Sequence, residues 1–77
     1  SLSEVVARLP MKDRFVFLNL QGLGWGNKRW SAAELADHYR VSPSEITEHY
    51  SSVLTRIGEI AARGGLEVDI EALKIAG

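Results

Sequence analysis

Two helix-start signals eleven residues apart constrain this chain more than any other feature: Ser31-Ala32-Ala33-Glu34 and Ser42-Pro43-Ser44-Glu45. Each reads as a capping box. A serine hydroxyl takes an orphan backbone N–H of the first helical turn, and the glutamate three residues on reaches back to the serine N–H. Pro43 suits the first helical position, where no donor is needed. Only Leu35-Ala36-Asp37-His38-Tyr39-Arg40-Val41 lies between the two signals. That interval holds one short helix and a turn of about three to four residues before a second helix must begin. The layout is that of a helix-turn-helix, whose second helix commonly enters a DNA groove. An ordinary antiparallel helix pair with no nucleic-acid role is the plainer alternative.

At 77 residues the chain makes one domain, 1–77, and so short a chain buries only about 60% of the surface its unfolded form exposes. Hydrophobic residues make up 45% and charged residues 25%, a balance that favours a folded globule over disorder. No apolar run approaches the ~20 residues of a membrane span, and no secretory signal pattern occurs. Without cysteine there is neither a disulfide framework nor a thiolate metal site, and a reducing cytoplasm is the expected compartment. Ser in place of Met at position 1 suggests a piece of a longer protein or a tag remnant. The net charge of -1 sets the sharpest restriction, because a free-standing DNA-binding domain normally shows a basic face.

The pattern along the chain predicts an all-α bundle of four to five helices, at about 3–9, 11–21, 32–38, 43–63 and 70–76. Val5, Val6 and Leu9 give the first a small apolar face, which Pro10 ends. In the second, Met11, Phe15 and Leu18 fall near helical spacing with Val16, Phe17 and Leu20 alongside. So wide an apolar arc predicts the central, most buried helix, closed by a left-handed Gly22. Gly22 to Trp30 is a loop whose glycines and Asn27 resist regular structure, and at least one of Trp25 and Trp30 should pin it to the helices. After Pro43 the run Ile46, Tyr50, Val53, Ile57, Ile60 keeps one face inward for several turns. Gly58 interrupts that run at about 1 kcal/mol relative to Ala, and Gly64-Gly65 ends it. Asp69 can cap the last helix, with Val68 and Leu73 placed as a hydrophobic staple.

Within the paired helices, Ala36 stands where the two approach most closely and a small residue is needed. Val41 and Ile46 take inward positions, and Tyr39 packs from the first helix. Arg40 occupies a turn position where positive φ makes glycine common.

Leu9-Pro10, Asp13-Arg14 and Val16-Phe17 resemble the opening of region four of bacterial RNA polymerase sigma factors. Gly22-Leu23-Gly24 is similar to the glycine-rich bend of the primary-type members, Ser31 to Ala36 to their Thr-Leu-Glu-Glu-Ile-Gly stretch, and Tyr39 to Ser42 to their Phe-Gly-Val-Thr. Ile46 and Leu54 match apolar positions, so the likeness spans roughly Ser3 to Ile57. Ile46-Thr47-Glu48-His49 through Val53-Leu54 and Ile57-Gly58 also resembles the recognition helix of quorum-sensing regulators of the LuxR type. That family has a much shorter loop before the motif than Gly22–Trp30 and ranks second. The first resemblance implies a carboxy-terminal domain that reads the upstream, minus-thirty-five promoter element in double-stranded DNA. It also implies a domain held by the flap of the polymerase β subunit. Family members place arginines along the recognition helix, where this chain has Pro43, Glu45 and Thr47. From Val41 to Thr55 there is neither Lys nor Arg, and Glu45 and Glu48 add negative charge. A module that docks polymerase or a transcription regulator without reading DNA is the rival expectation.

The groove-facing candidates are Ser44, Thr47, Glu48 and Ser51, one helical stripe, with Ser42 at its start. Hydroxyls can meet phosphates or several base edges, and a glutamate can accept from the cytosine amino group. The N-terminus of this helix can itself hold a phosphate. Lys28, Arg29 and Arg40 could grip the backbone beside the stripe. Against this, Glu45 is first of all a cap, and Glu48 and Ser51 suit a solvated face equally well. His38 and His49 lack the cysteine or carboxylate company of a metal site, and His49 reads as a packed or hydrogen-bonded side chain. The Gly22-x-Gly24-x-Gly26 spacing follows a helix, whereas a phosphate-binding fingerprint needs strand, turn and helix. No catalysis and no cofactor are expected, and an exposed Trp25 would suit a protein partner.

Overall fold

The computed structural model describes residues 1–75, where five helices follow one another: α1 (Leu2–Ala7), α2 (Met11–Gln21), α3 (Ala32–Tyr39), α4 (Pro43–Arg63) and α5 (Ile70–Leu73). A 3-10 turn at Trp25–Asn27 interrupts the long loop, and no strand occurs among the described residues. The all-α expectation holds, with shifted ends. α1 starts and stops earlier than 3–9, α3 runs one residue past 32–38, and α5 is shorter than 70–76, whose last residue lies outside the described range.

The centre of the bundle differs from the expectation. α4, not α2, is the hub: it packs against α1, α2, α3 and α5 and buries Ile46, Tyr50, Val53, Leu54, Ile57 and Ala61. The apolar arc of α2 overstated its burial, because Met11 is 69% exposed. Gly58 leaves α4 unbroken as well, since one glycine's propensity cost is small beside so long a buried face.

Three helices end the same way. In each, a residue with positive φ turns the chain, and the amide after it bonds back to a carbonyl five residues earlier. The pairs are Gly22 with Leu23 N–H to Leu18 (2.8 Å), Arg40 with Val41 N–H to Ala36 (3.0 Å), and Gly65 with Leu66 N–H to Ala61 (2.8 Å). Arg40, at φ 59°, therefore performs at the α3–α4 turn what glycine performs at the other two. The cap before α3 is the full reciprocal box: Ser31 Oγ accepts from Glu34 N–H at 3.1 Å, and Glu34 Oε1 accepts from Ser31 N–H at 2.9 Å. The cap before α4 is only half of one. Ser42 Oγ accepts from Glu45 N–H at 3.2 Å, but the Glu45 carboxylate meets the Ser42 hydroxyl (3.4 Å) rather than its amide.

Between α2 and α3, the buried Asn19 organises the loop. Its side-chain oxygen accepts from Trp25 N–H at 2.7 Å, and its backbone carbonyl accepts from Gly22 N–H (3.2 Å) and Trp30 N–H (3.0 Å). Gly24 passes so close that a Cβ there would collide with the Asn19 side chain, standing 2.9 Å from its Cγ. Trp25 then pins the loop as expected, stacked on Phe15 (centroids 5.4 Å apart) and tilted against His38 and Tyr39. Trp30 Nε1 donates to the Trp25 carbonyl at 3.0 Å. His49 is hydrogen-bonded too, its Nε2 lying 2.7 Å from Asp13 Oδ1 and tying α4 to α2.

Candidate nucleic-acid interface

The geometry that would present a reading helix rests on a few side chains at the α3–α4 junction. Leu35 and Ala36 are fully buried on α3, with Ala36 only 1% exposed, and Ile46 is 3% exposed on the first turn of α4. Val41 is half-buried rather than fully inward, as is Tyr39. With Ile46, Tyr50 and Val53 inward, the 3.6-residue repeat turns the opposite face outward. Ser42, Ser44, Glu45, Glu48 and Ser51 are all exposed there, and Thr47 is half-exposed beside them. The expected stripe therefore exists as one surface.

Its hydrogen-bonding capacity is narrower than the sequence indicated. Thr47 Oγ1 donates to the Ser44 carbonyl at 3.0 Å, so its proton is held within the helix and its lone pairs face out. Ser44 and Ser42 hydroxyls lie 3.1 Å apart and share one bond. At the helix N-terminus Pro43 has no N–H, and the Glu45 N–H is taken by Ser42. Among the described residues, Ser44 N–H is left without a protein partner, which reduces the terminus as a phosphate holder. With Glu45 and Glu48, the stripe is mainly an acceptor surface suited to donors such as the cytosine amino group.

The three cations expected to grip phosphate fare differently. Lys28 Nζ lies 2.9 Å from Glu34 Oε2 and 4.3 Å from the Trp30 ring centroid, so its charge is engaged at the N-terminus of α3. That lysine, with the Ser31 amide and hydroxyl, draws the Glu34 carboxyl down to about 2. Arg40 is exposed on the turn, and Arg29 lines a cleft of about 360 Å³ with Gln21, Trp30, Ser31 and Lys74. Neither forms an ion pair among the described residues.

One cation was missed. Lys74 also borders a smaller cleft, of about 190 Å³, lined by Thr47, Tyr50, Ser51, Leu54 and Ile75. The Leu73 carbonyl accepts from the Tyr50 hydroxyl and the Gln21 amide, which fastens this end of the chain against α2 and α4. Burial of the Tyr50 phenol raises its pKa and keeps it a neutral donor. The Asp69 cap was legible in the sequence; the return of the segment to the opening turns of α4 was not, because no local pattern encodes it. A second group of cations, Arg8, Arg56 and Arg63, lines a cleft of about 320 Å³ with Glu59 and Ile60, beside α1 and the far half of α4.

No helix among the described residues is long and apolar enough to cross a membrane, and no group of His, Cys, Asp and Glu there could hold a metal ion. Comparison with protein-family models, with curated proteins and with solved structures finds no match to this chain.

Proposed function

We propose that this chain is a sigma region-four-like DNA-binding domain of bacterial transcription initiation. In this reading α4 addresses the upstream promoter element while the domain is docked on the RNA polymerase β flap, in the cytoplasm and without catalysis. The observation that carries the reading is the α3–α4 junction. Buried Ala36 and Ile46 and a left-handed Arg40 leave the first three turns of α4 with one continuous polar face. The scarcity of cations on that face means that DNA affinity comes largely from tethering, which raises the local concentration of promoter. A titration of promoter duplex with and without the flap tests this. Weak, salt-sensitive binding by the isolated domain and much tighter binding in the tethered complex are expected. Tight, salt-insensitive binding by the isolated domain would contradict the reading.

A second reading is favoured by Glu45 and Glu48 on the α4 face and by the clustering of Arg8, Arg56 and Arg63 elsewhere. Here the same fold docks polymerase or a regulator and does not touch DNA. Thr47→Glu combined with Ser51→Glu separates the two. Loss of promoter binding by the polymerase complex supports the DNA reading, and unchanged binding transfers the role to protein docking. A LuxR-type regulator domain would bind duplex DNA through the same stripe with no polymerase flap required.

A further inference from the structure

Beyond Gly64-Gly65 the chain doubles back along α4. Ile70 lies over Gly58, where an added Cβ would stand 3.9 Å from Ile70 Cδ1, and Leu73 is fastened by Tyr50. Lys74 therefore arrives beside Thr47 and Ser51 from the opposite end of the sequence. It lines both clefts described above, the one containing Thr47 and Ser51 and the one containing Arg29 and Ser31. Among the described residues, no other Lys or Arg borders the Thr47–Ser51 cleft. Its side chain is 58% exposed, and its ammonium lies 2.9 Å from Glu71 Oε1, three residues earlier.

We propose that Lys74 and Arg29 form a two-point clamp for the phosphate backbone of duplex DNA beside the Thr47–Ser51 face, with Glu71 as a built-in competitor for Lys74. The inference rests on the DNA reading above and deepens it by naming the backbone contact that α4 does not supply. An ammonium is a compact charge on a flexible stem, so it can leave one anion for another without moving the fold. An exposed ion pair within one helical turn is weak and screened by salt. A phosphate entering the cleft that both side chains line faces two cations and competes with the Glu71 carboxylate for Lys74. Arg29 is exposed and forms no ion pair among the described residues, so its charge is available to a phosphate.

The test uses the 77-residue chain and a random-sequence DNA duplex, followed by chemical-shift titration from low to moderate salt. Lys74→Gln should weaken binding several-fold and lower the slope of log K against log salt by about 1, the value for one lost phosphate contact. Glu71→Gln should tighten binding by more than Glu67→Gln, which removes the same charge elsewhere on the segment. In a Lys74→Gln background that excess should vanish. If Lys74→Gln leaves affinity and slope unchanged while Arg29→Gln, or Thr47→Glu with Ser51→Glu, weakens binding, the clamp is overturned and the DNA reading stands. If the unmodified chain shows no salt-dependent association with the duplex, the DNA reading and the clamp both fall. Lys74, Glu71 and Glu67 are exposed, so these variants keep the fold, and circular dichroism verifies it.

Discussion

Asn19→Ala should unfasten one end of the Gly22–Trp30 loop and lower the stability of the whole domain. The substitution removes the acceptor 2.7 Å from the Trp25 N–H, a half-buried donor with no other partner among the described residues. Leaving such a donor unpaired costs about 1–3 kcal/mol, and the vacated volume adds a cavity term. One effect opposes this. Asn19 Nδ2 is itself buried without a partner, so deleting it removes a desolvation penalty of similar kind. The cavity term tips the balance, and a net loss of about 1–2 kcal/mol follows. For a domain of this size that corresponds to a fall in melting temperature of about 4–16 °C. The Gly22 and Trp30 amides bond to the Asn19 backbone and are untouched, so the loosening should be confined to Trp25. Thermal denaturation by far-ultraviolet circular dichroism measures the first effect. Fluorescence of Trp25 in a Trp30→Phe background measures the second, with red-shifted emission expected. Asn19→Asp keeps the acceptor but buries a carboxylate, so its stability should rise as pH falls and the group becomes neutral. An Asn19→Ala domain with unaltered melting temperature and unaltered Trp25 emission would refute the role assigned to this side chain.

Gly58→Ala should stabilise the domain by about 0.5–1 kcal/mol, since α4 is regular there and the new methyl meets Ile70 at ordinary van der Waals distance; chemical denaturation checks it. Arg40→Gly should relieve the left-handed backbone and stabilise by up to about 1 kcal/mol and, under the proposed DNA-binding function, weaken duplex binding through loss of a cation at the turn; a denaturation curve and a duplex titration read the two opposite effects. Glu34 has a folded-state pKa depressed to about 2 by Lys28 and the α3 cap, so its contribution is complete above its ordinary value near 4.5 and is lost as pH falls toward 2. The melting-temperature gap between the unmodified domain and Glu34→Gln should accordingly be largest at neutral pH and close over that acid range.

Local chemistry made much of this molecule legible before any coordinates. The Ser31 and Ser42 caps, Pro43 at the first helical position, the left-handed Gly22 and the Asp69 cap depend on neighbours within a few residues, so they can be read one turn at a time. The same holds for the stripe from Ser44 to Ser51, because a helical repeat with one apolar face dictates what the other face exposes. Three features belong to the tertiary structure alone. Burial of Asn19 beneath a glycine-rich loop needs the loop to fold over α2 before a polar side chain becomes an internal fastener. The choice of α4 over α2 as hub depends on which apolar face the other helices share, and Met11 shows that an apolar residue at the right spacing can still face water. Lys74 beside Thr47 and Ser51 depends on the path of the chain after Gly65, a non-local matter settled by where Ile70 and Leu73 find apolar surface along α4. Short-range hydrogen bonding and periodicity are properties of consecutive residues, whereas proximity across the bundle is decided by the packing that buries the most apolar surface at once.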